Sequence, residues 1–96
     1  MRQVVKRPLA KKDFKQIWLY TFQTRGERQA NLYLGELDQA IQALAADPER
    51  GKSRDHIRPG YRSIYVNRHI VYYTFTATLV RIVRVLHERM DPDRHF

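Results

Sequence analysis

The chain has 96 residues and a net charge of +8 at pH 7, and it contains no cysteine. This length suits one small domain, and the lack of cysteine excludes disulfides and thiolate metal sites. No apolar run approaches the roughly 18 residues that a membrane span needs, and the N-terminal residues carry no hydrophobic signal region. We therefore expect a soluble, cytoplasmic protein with a single domain over residues 1–96.

The positive charge is concentrated in one stretch, residues 49–68. Its cations are Arg50, Lys52, Arg54, Arg58, Arg62 and Arg68, whereas its only carboxylates are Glu49 and Asp55. A local positive field of this kind favours an anionic partner, such as a nucleic acid or an acidic protein segment. A solvated basic surface without a specific partner is the alternative.

The N-terminal part of the chain predicts a strand and a helix. Residues 3–6 are β-prone, and Pro8 suits the first turn of a helix, where its missing N–H costs nothing. An apolar stripe with helical spacing follows, so the first helix is predicted from residue 8 to about residue 23. The stripe consists of Phe14, Ile17, Trp18 and Thr21.

A second helix is predicted after Thr24-Arg25-Gly26-Glu27, which has the form of a capping box. Its apolar residues repeat every three or four positions. Asp47-Pro48 ends it, because the residue before a proline avoids helical geometry. The short link between the helices favours an antiparallel hairpin, and residues 48–60 are predicted to form a polar loop.

The last third of the chain changes to the two-residue period of strands. Three strands are predicted, at residues 61–66, 70–75 and 79–87, and Asn67-Arg68 and Ala77-Thr78 join them as tight reversals. The last strand is apolar on both faces apart from its arginines, as expected of a central strand. The result is an antiparallel meander.

These elements predict an α+β fold in the order strand, helix, helix, strand, strand, strand. The helical hairpin covers one face of a small, mainly antiparallel sheet, so that both apolar surfaces are buried together. The predicted core consists of Phe14, Ile17, Leu34, Leu37, Ile41, Leu44, Ile70, Tyr72, Ile82 and Val85.

Three motifs carry a resemblance to a known family. They are the turn Arg58-Pro59-Gly60-Tyr61-Arg62, the pair Tyr72-Tyr73, and the ending Leu86-His87-x-x-Met90-Asp91. With the helices before them, they resemble the ParE branch of the RelE/ParE superfamily of bacterial toxins over nearly the whole chain. The resemblance implies the toxin of a type II toxin–antitoxin system, which blocks DNA gyrase without an enzymatic reaction. It also implies a hetero-oligomer with a ParD-like antitoxin, and no cofactor, small-molecule substrate or membrane partner.

The RelE branch implies a different activity, the cleavage of messenger RNA on the ribosome. Such chemistry needs cations around a phosphate and a proton carrier late in the chain. The candidate cations are Lys52, Arg54, Arg62, Arg81 and Arg84. His87 is the one imidazole at a strand end, but the chain continues well past it, unlike RelE-type toxins. We therefore predict no catalytic residue, and we keep two alternatives: an mRNA endonuclease and a non-toxic basic module that binds nucleic acid.

The histidines do not predict a metal site. They are His56, His69, His87 and His95, and no two of them have the spacing of a ligand pair on a helix.

Two surfaces are predicted to bind partners. The first helix is apolar nearly all round at residues 17–22, which indicates either burial by the sheet and the second helix or a surface for a partner. The resemblance implies that such a partner is the antitoxin, so Trp18, Leu19 and Phe22 are predicted to contact it. The resemblance assigns target binding to the C-terminal residues Arg94, His95 and Phe96 on a projecting tail, with Arg84 contributing from the last strand. The alternative is a tail folded back on the core, with Met90 as its plug.

Overall fold

The computed structural model describes all 96 residues of the chain. Two helices, α1 (Pro8–Arg25) and α2 (Glu27–Ala43), follow the first strand, and short 3₁₀ turns lie at Pro48–Arg50 and Pro92–Arg94. The strands are β1 (Gln3–Lys6), β2 (Lys52–Ser53), β3 (Arg62–Val66), β4 (His69–Phe75) and β5 (Leu79–His87). Neither helix combines the length and apolar character that crossing a membrane requires.

The five strands form one sheet in the order β1-β5-β4-β3-β2. Strand β1 runs parallel to β5, with Val4 opposite Val80, and every other pair is antiparallel. The predicted α+β architecture is confirmed, and β5 lies inside the sheet as expected. Strand β2 was not predicted, because its two residues, which pair with Arg62 and Ser63, are too few to show a period.

The link between the helices differs from the predicted capping box. Thr24 lies in the last turn of α1, and its hydroxyl donates to the Tyr20 carbonyl at 2.8 Å instead of capping α2. Gly26 ends α1 and begins α2, and its φ of +89° is a conformation that glycine adopts without steric cost. One glycine therefore makes the whole reversal, so the hairpin needs no additional loop residues.

The hairpin and one face of the sheet enclose the main core. Its buried members are Ala10, Ile17, Leu37, Ile41, Leu44, Val71, Tyr73, Val80, Ile82 and Val85. Phe14 and Leu34 of the predicted core are half-buried and pack against this cluster. The predicted stripe of α2 is confirmed by the complete burial of Leu37, Ile41 and Leu44.

The prediction placed the wrong face of β4 in the main core. Val71 and Tyr73 face the helices, whereas Tyr72 is buried on the opposite face and Ile70 is half-buried there beside Leu86. The sequence Ile70-Val71-Tyr72-Tyr73 is apolar at every position. The alternation of apolar and polar residues that would show which face is buried is therefore missing. Both faces of β4 are covered, which is why both carry apolar side chains.

An irregularity in β5 keeps its apolar side chains on the helix face. Tyr73 pairs with Ile82 but Tyr72 pairs with Arg84, so Val83 has no partner and forms a β-bulge. The bulge lets Ile82 and Val85, three positions apart, enter the same core.

The buried hydroxyl of Tyr73 fixes the segment between the helices and β2. It donates to the Pro48 carbonyl at 2.6 Å and accepts from the Gly51 N–H at 3.0 Å. Burial raises the pKa of Tyr73, so the phenol keeps its proton and both hydrogen bonds. A side chain at Gly51 would collide with this hydroxyl.

Candidate functional site

Two of the cations proposed for RNA cleavage form hydrogen bonds beside strand β2. Arg54 donates to the Ser63 hydroxyl at 2.8 Å and lies over the Tyr72 ring, 5.8 Å from its centroid. Arg62 donates to the Gly51 carbonyl at 2.8 Å. These guanidinium groups therefore hold the β2 segment against the sheet.

Arg84 is the centre of a second structural network. Its Nε and Nη2 donate to the two carboxylate oxygens of Asp13 at 2.8 and 3.0 Å, and the Val85 N–H donates to the same carboxylate at 2.9 Å. Strand β1 ends at Lys6, so this part of β5 has a neighbouring strand, β4, on one side only. Asp13 of α1 supplies the missing acceptor.

The same guanidinium reaches the C-terminal tail. Arg84 Nη1 donates to the His95 carbonyl at 3.3 Å, which joins α1, β5 and the tail in one network. The hydrogen bonds to Asp13 raise the pKa of Arg84, so its charge is maintained in this partly buried position. Arg84 thus holds the tail, and its predicted contact with a target needs a change in this network.

The tail does not project, and that expectation is wrong. Phe96 folds back onto the sheet face opposite the helices, with its ring 5.1 Å from Tyr72 and 5.4 Å from Tyr61, edge to face in both pairs. Phe96, and not Met90, covers the apolar surface, since Met90 is 46% exposed. The reason is that Tyr72 lies on the face of β4 opposite the helices, whereas the predicted phase placed it in the main core. Of the other tail residues, Arg94 is exposed.

The predicted antitoxin surface lies on the outside of the hairpin. Trp18 is half-buried and stacks on Phe22 with ring centroids 5.1 Å apart, and its indole N–H donates to Asn31 of α2 at 2.9 Å. Leu19 and Phe22 are 40% and 44% exposed. Helix α1 therefore carries apolar side chains outside the core, and a partner can contact them.

A cluster of aromatic and imidazole groups lies at the end of the sheet, beneath the hairpin. The Tyr33 hydroxyl is bonded to His69 Nδ1 at 2.5 Å, and the His69 and His87 rings meet edge to face at 5.3 Å. Burial, and then the nearby His87, lower the pKa of His69 to about 4, so this ring is neutral at pH 7.

Sequence reasoning singled out His87 but missed Tyr33 and His69. They come from three different elements, and only the pairing of His69 with His87 across β4 and β5 brings the rings together. The register of this pairing depends on the β-bulge at Val83, and no sequence pattern indicated that bulge.

The chain has relatives among known proteins. The family model described as the ParE toxin of the type II toxin–antitoxin system, parDE, matches residues 4–92. The chain belongs to the ParE toxin family. It is 43% identical over 89 residues to Toxin ParE1 of Mycobacterium tuberculosis, covering 92% of this chain and 91% of that relative.

Solved structures share the ParE fold of this chain. The chromosomal ParDE TA system from P. aeruginosa matches with a TM-score of 0.79 at 16% identity, covering 91% of this chain and 96% of that one. YafQ from E. coli strain BL21(DE3) matches with a TM-score of 0.59 at 19% identity, covering 92% and 94%. At such identities the likeness concerns the fold, and it agrees with the observed strand, hairpin and sheet.

Proposed function

We propose that this ParE toxin inhibits DNA gyrase by binding, without an enzymatic reaction, and acts in the cytoplasm as one domain over residues 1–96. The observation that carries the proposal is the engagement of three of the five candidate catalytic cations. Arg54, Arg62 and Arg84 are each held by hydrogen bonds within the chain. A cation committed to such bonds is poorly placed to stabilise the charge that develops on a phosphate during cleavage.

The position of His87 supports the same proposal. It lies in the groove beneath the helices, whereas Arg54 and Tyr72 lie on the opposite face of the sheet. A proton carrier must come within hydrogen-bond distance of the groups that it serves, together with the cations that stabilise the transition state. Of the cations proposed for cleavage, only Arg84 lines this groove, and its guanidinium is already bonded to Asp13.

The tail is our candidate for the contact with gyrase. Arg94 is exposed, and the neighbouring His95 is fixed through its carbonyl by Arg84. The packing of Phe96 on Tyr61 and Tyr72 orders this segment before any partner arrives. A preordered binding segment loses less conformational entropy on association, which favours affinity.

The antitoxin is proposed to be ParD-like and to bind Trp18, Leu19 and Phe22. The family description names a parDE system, and the P. aeruginosa structure is that of a ParDE TA system. Exposed apolar side chains on the outer face of the hairpin suit an amphipathic segment. The net charge of +8 suits an acidic one.

Two assays with the purified protein test the target. Gyrase supercoiling and translation in vitro are measured over the same range of toxin concentrations. We expect supercoiling to stop while translation continues. Loss of translation with intact supercoiling would transfer the protein to the endonuclease class.

Variants of the tail test the contact itself. Substituting Arg94→Ala and His95→Ala together removes both side chains but keeps Phe96 in its place. We expect this variant to fold normally and to lose gyrase inhibition, whereas Arg28→Ala, an exposed cation on α2, retains it. Full inhibition by the double variant would exclude the Arg94 and His95 side chains and favour the basic loop around Lys52 and Arg58.

The antitoxin surface has its own test. Leu19→Ser and Phe22→Ser are expected to weaken binding of a ParD-like antitoxin while circular dichroism stays unchanged. Tyr65→Ser is the matched control, because Tyr65 is 62% exposed on a strand far along the chain from the hairpin. Equal affinities for all three variants would place the antitoxin elsewhere.

A further inference from the structure

A basic loop lies at the edge of the sheet that strand β2 forms. It consists of residues 48–62, which run through β2 to the first residue of β3. Its cations are Arg50, Lys52, Arg54, Arg58 and Arg62, and its carboxylates are Glu49 and Asp55. None of them takes part in the ion pairs of the chain, which join Lys6 to Asp38 and Arg84 to Asp13. The loop therefore has an excess of positive charge that the chain does not neutralise.

The cations of the loop form two sets with different duties. Arg54 and Arg62 donate hydrogen bonds within the chain and are half-buried. The side chains of Arg50, Lys52 and Arg58 are exposed and form no ion pair within the chain. The first set holds the loop in shape, and the second set is free to bind an anion.

Hydrogen bonds order the loop before any partner arrives. The Arg54 N–H donates to the Tyr61 carbonyl at 2.7 Å, and the Gly60 N–H donates to the Asp55 carboxylate at 2.8 Å. The buried Tyr73 hydroxyl fixes the beginning of the loop. A binding surface built on such a frame loses little conformational entropy on association, which favours affinity.

The loop lacks the apolar side chains on which protein interfaces depend. The large apolar side chains that are exposed in this chain all lie outside residues 48–62. Protein interfaces draw most of their binding energy from a few buried aromatic or aliphatic anchors and from arginines packed among them. Contacts with a phosphate backbone need only cations, because the release of counterions supplies the binding energy. The loop therefore suits a nucleic acid better than a protein.

The aromatic rings near the loop favour a duplex over a single strand. Proteins bind single strands by stacking bases on free aromatic faces. The Tyr61 ring meets the Phe96 ring edge to face, and the Tyr72 ring is covered by Phe96 and by the Arg54 guanidinium. Double-stranded DNA also has the denser charge, with one phosphate per roughly 1.7 Å of helix axis.

We propose that the basic loop binds the phosphate backbone of duplex DNA, with Arg50, Lys52 and Arg58 contacting phosphates. Contacts of this kind carry no sequence information, so the binding is independent of base sequence. It places the protein on the nucleic acid that its proposed target handles, and this consequence alone rests on the proposed function. The binding itself is tested with DNA and no other partner, so its failure is distinct from a failure to inhibit gyrase.

Fluorescence anisotropy of the full-length protein with short labelled duplexes of two unrelated sequences measures the binding. The titrations are repeated over a series of salt concentrations. We expect the two duplexes to bind alike. We expect the logarithm of the association constant to fall linearly with the logarithm of the salt concentration, with a slope of about −3 or steeper, since each neutralised phosphate contributes about −0.9.

Two triple variants with the same net charge separate the loop from a general charge effect. The loop variant combines Arg50→Gln, Lys52→Gln and Arg58→Gln. The control combines Lys11→Gln, Lys15→Gln and Arg28→Gln, which are exposed cations of the two helices. We expect the loop variant to bind at least about tenfold more weakly, with a salt slope smaller in magnitude by about 2–3. The control is expected to change the slope by less than about 1.

Circular dichroism verifies that each variant is folded. Should the loop variant fail to fold, Lys52→Gln combined with Arg58→Gln decides the result. Equal losses of affinity in the loop variant and the control would overturn the proposal, and so would an affinity that salt does not change. A preference of more than about tenfold for one duplex would contradict binding through phosphates alone. Tighter binding of single-stranded oligouridylate through the same three cations would assign the loop to RNA instead.

Discussion

Replacing Asp13 with alanine is expected to lower the free energy of unfolding substantially, although this carboxylate lies close to the surface. Three hydrogen bonds of 2.8 to 3.0 Å end on this group, and the side chains of Asp13 and Arg84 are only 14% and 15% exposed. Removing one partner of a buried ion pair costs about 3–5 kcal/mol, because the other charge stays behind without compensation. The remaining exposure lets water reach the guanidinium, so we expect about 3 kcal/mol for Asp13→Ala.

The ion pair between Lys6 and Asp38 provides a matched control. Its distance is 3.0 Å, but its side chains are 28% and 45% exposed. Exposed pairs contribute roughly 0–1 kcal/mol, so Asp38→Ala is expected to change the free energy of unfolding by less than about 1 kcal/mol. Urea denaturation followed by circular dichroism measures both variants, with the slope m verifying that the same surface is exposed on unfolding.

A double-mutant cycle attributes the effect to the pair. Asp13→Ala combined with Arg84→Met removes the stranded charge, so the double variant is expected to lose less stability than the two single losses together. The reasoning fails if Asp13→Ala costs no more than Asp38→Ala. It also fails if the two substitutions are additive, because independent sites show no coupling energy.

Four further substitutions test the core and the groove. Gly51→Ala pushes a methyl group into the Tyr73 hydroxyl and is expected to cost about 1–3 kcal/mol, whereas Gly35→Ala, with open space around its Cβ, is expected to stabilise α2 by about 0.5–1 kcal/mol. Leu37→Ala is expected to cost about 2–5 kcal/mol, since Leu37 is fully buried. His69 has its pKa lowered to about 4, so the unfolded chain binds more protons between that value and about 6.5. The free energy of unfolding is therefore expected to fall as the pH drops through this range, and His69→Gln to flatten the profile.

Urea denaturation at several pH values measures the free energy of unfolding of all these variants. A cost below about 0.5 kcal/mol for Leu37→Ala would mean that the stripe of α2 is misplaced. Equal effects at Gly51 and Gly35 would contradict the close packing of the Tyr73 hydroxyl. A wild-type pH profile that runs parallel to that of His69→Gln would mean that the His69 ring is not desolvated.

The parts of the fold that follow from local patterns could be predicted from the sequence. Strands β1 and β5 were bounded correctly, because each is a run of β-prone residues between breakers. The stripe of α2 was also correct, since its helical period is strong enough to show which face is buried. These features depend on residues that are neighbours in the chain.

The parts that depend on distant residues could not be predicted in this way. The phase of β4 was wrong because its apolar residues occupy both faces, and which face meets the helices depends on packing between elements that are distant in the chain. The position of the tail followed from the same error, since Phe96 covers the face on which Tyr72 lies. The groove joins Tyr33 to His69 and His87, and no spacing in the sequence reports that contact.

The parallel pairing of β1 with β5 has a consequence for the moment at which this protein becomes active in a cell. Residues 3–6 are translated long before their partners in β5, because two helices and three strands lie between them in the chain. Such distant contacts form slowly, because the intervening segment must be ordered before they stabilise anything. Until then β1 is an unpaired strand on a nascent chain, and fragments ending before Leu79 lack its partner. Toxicity is therefore expected only after β5 has been synthesised, which gives an antitoxin already present in the cell time to meet the unfinished chain.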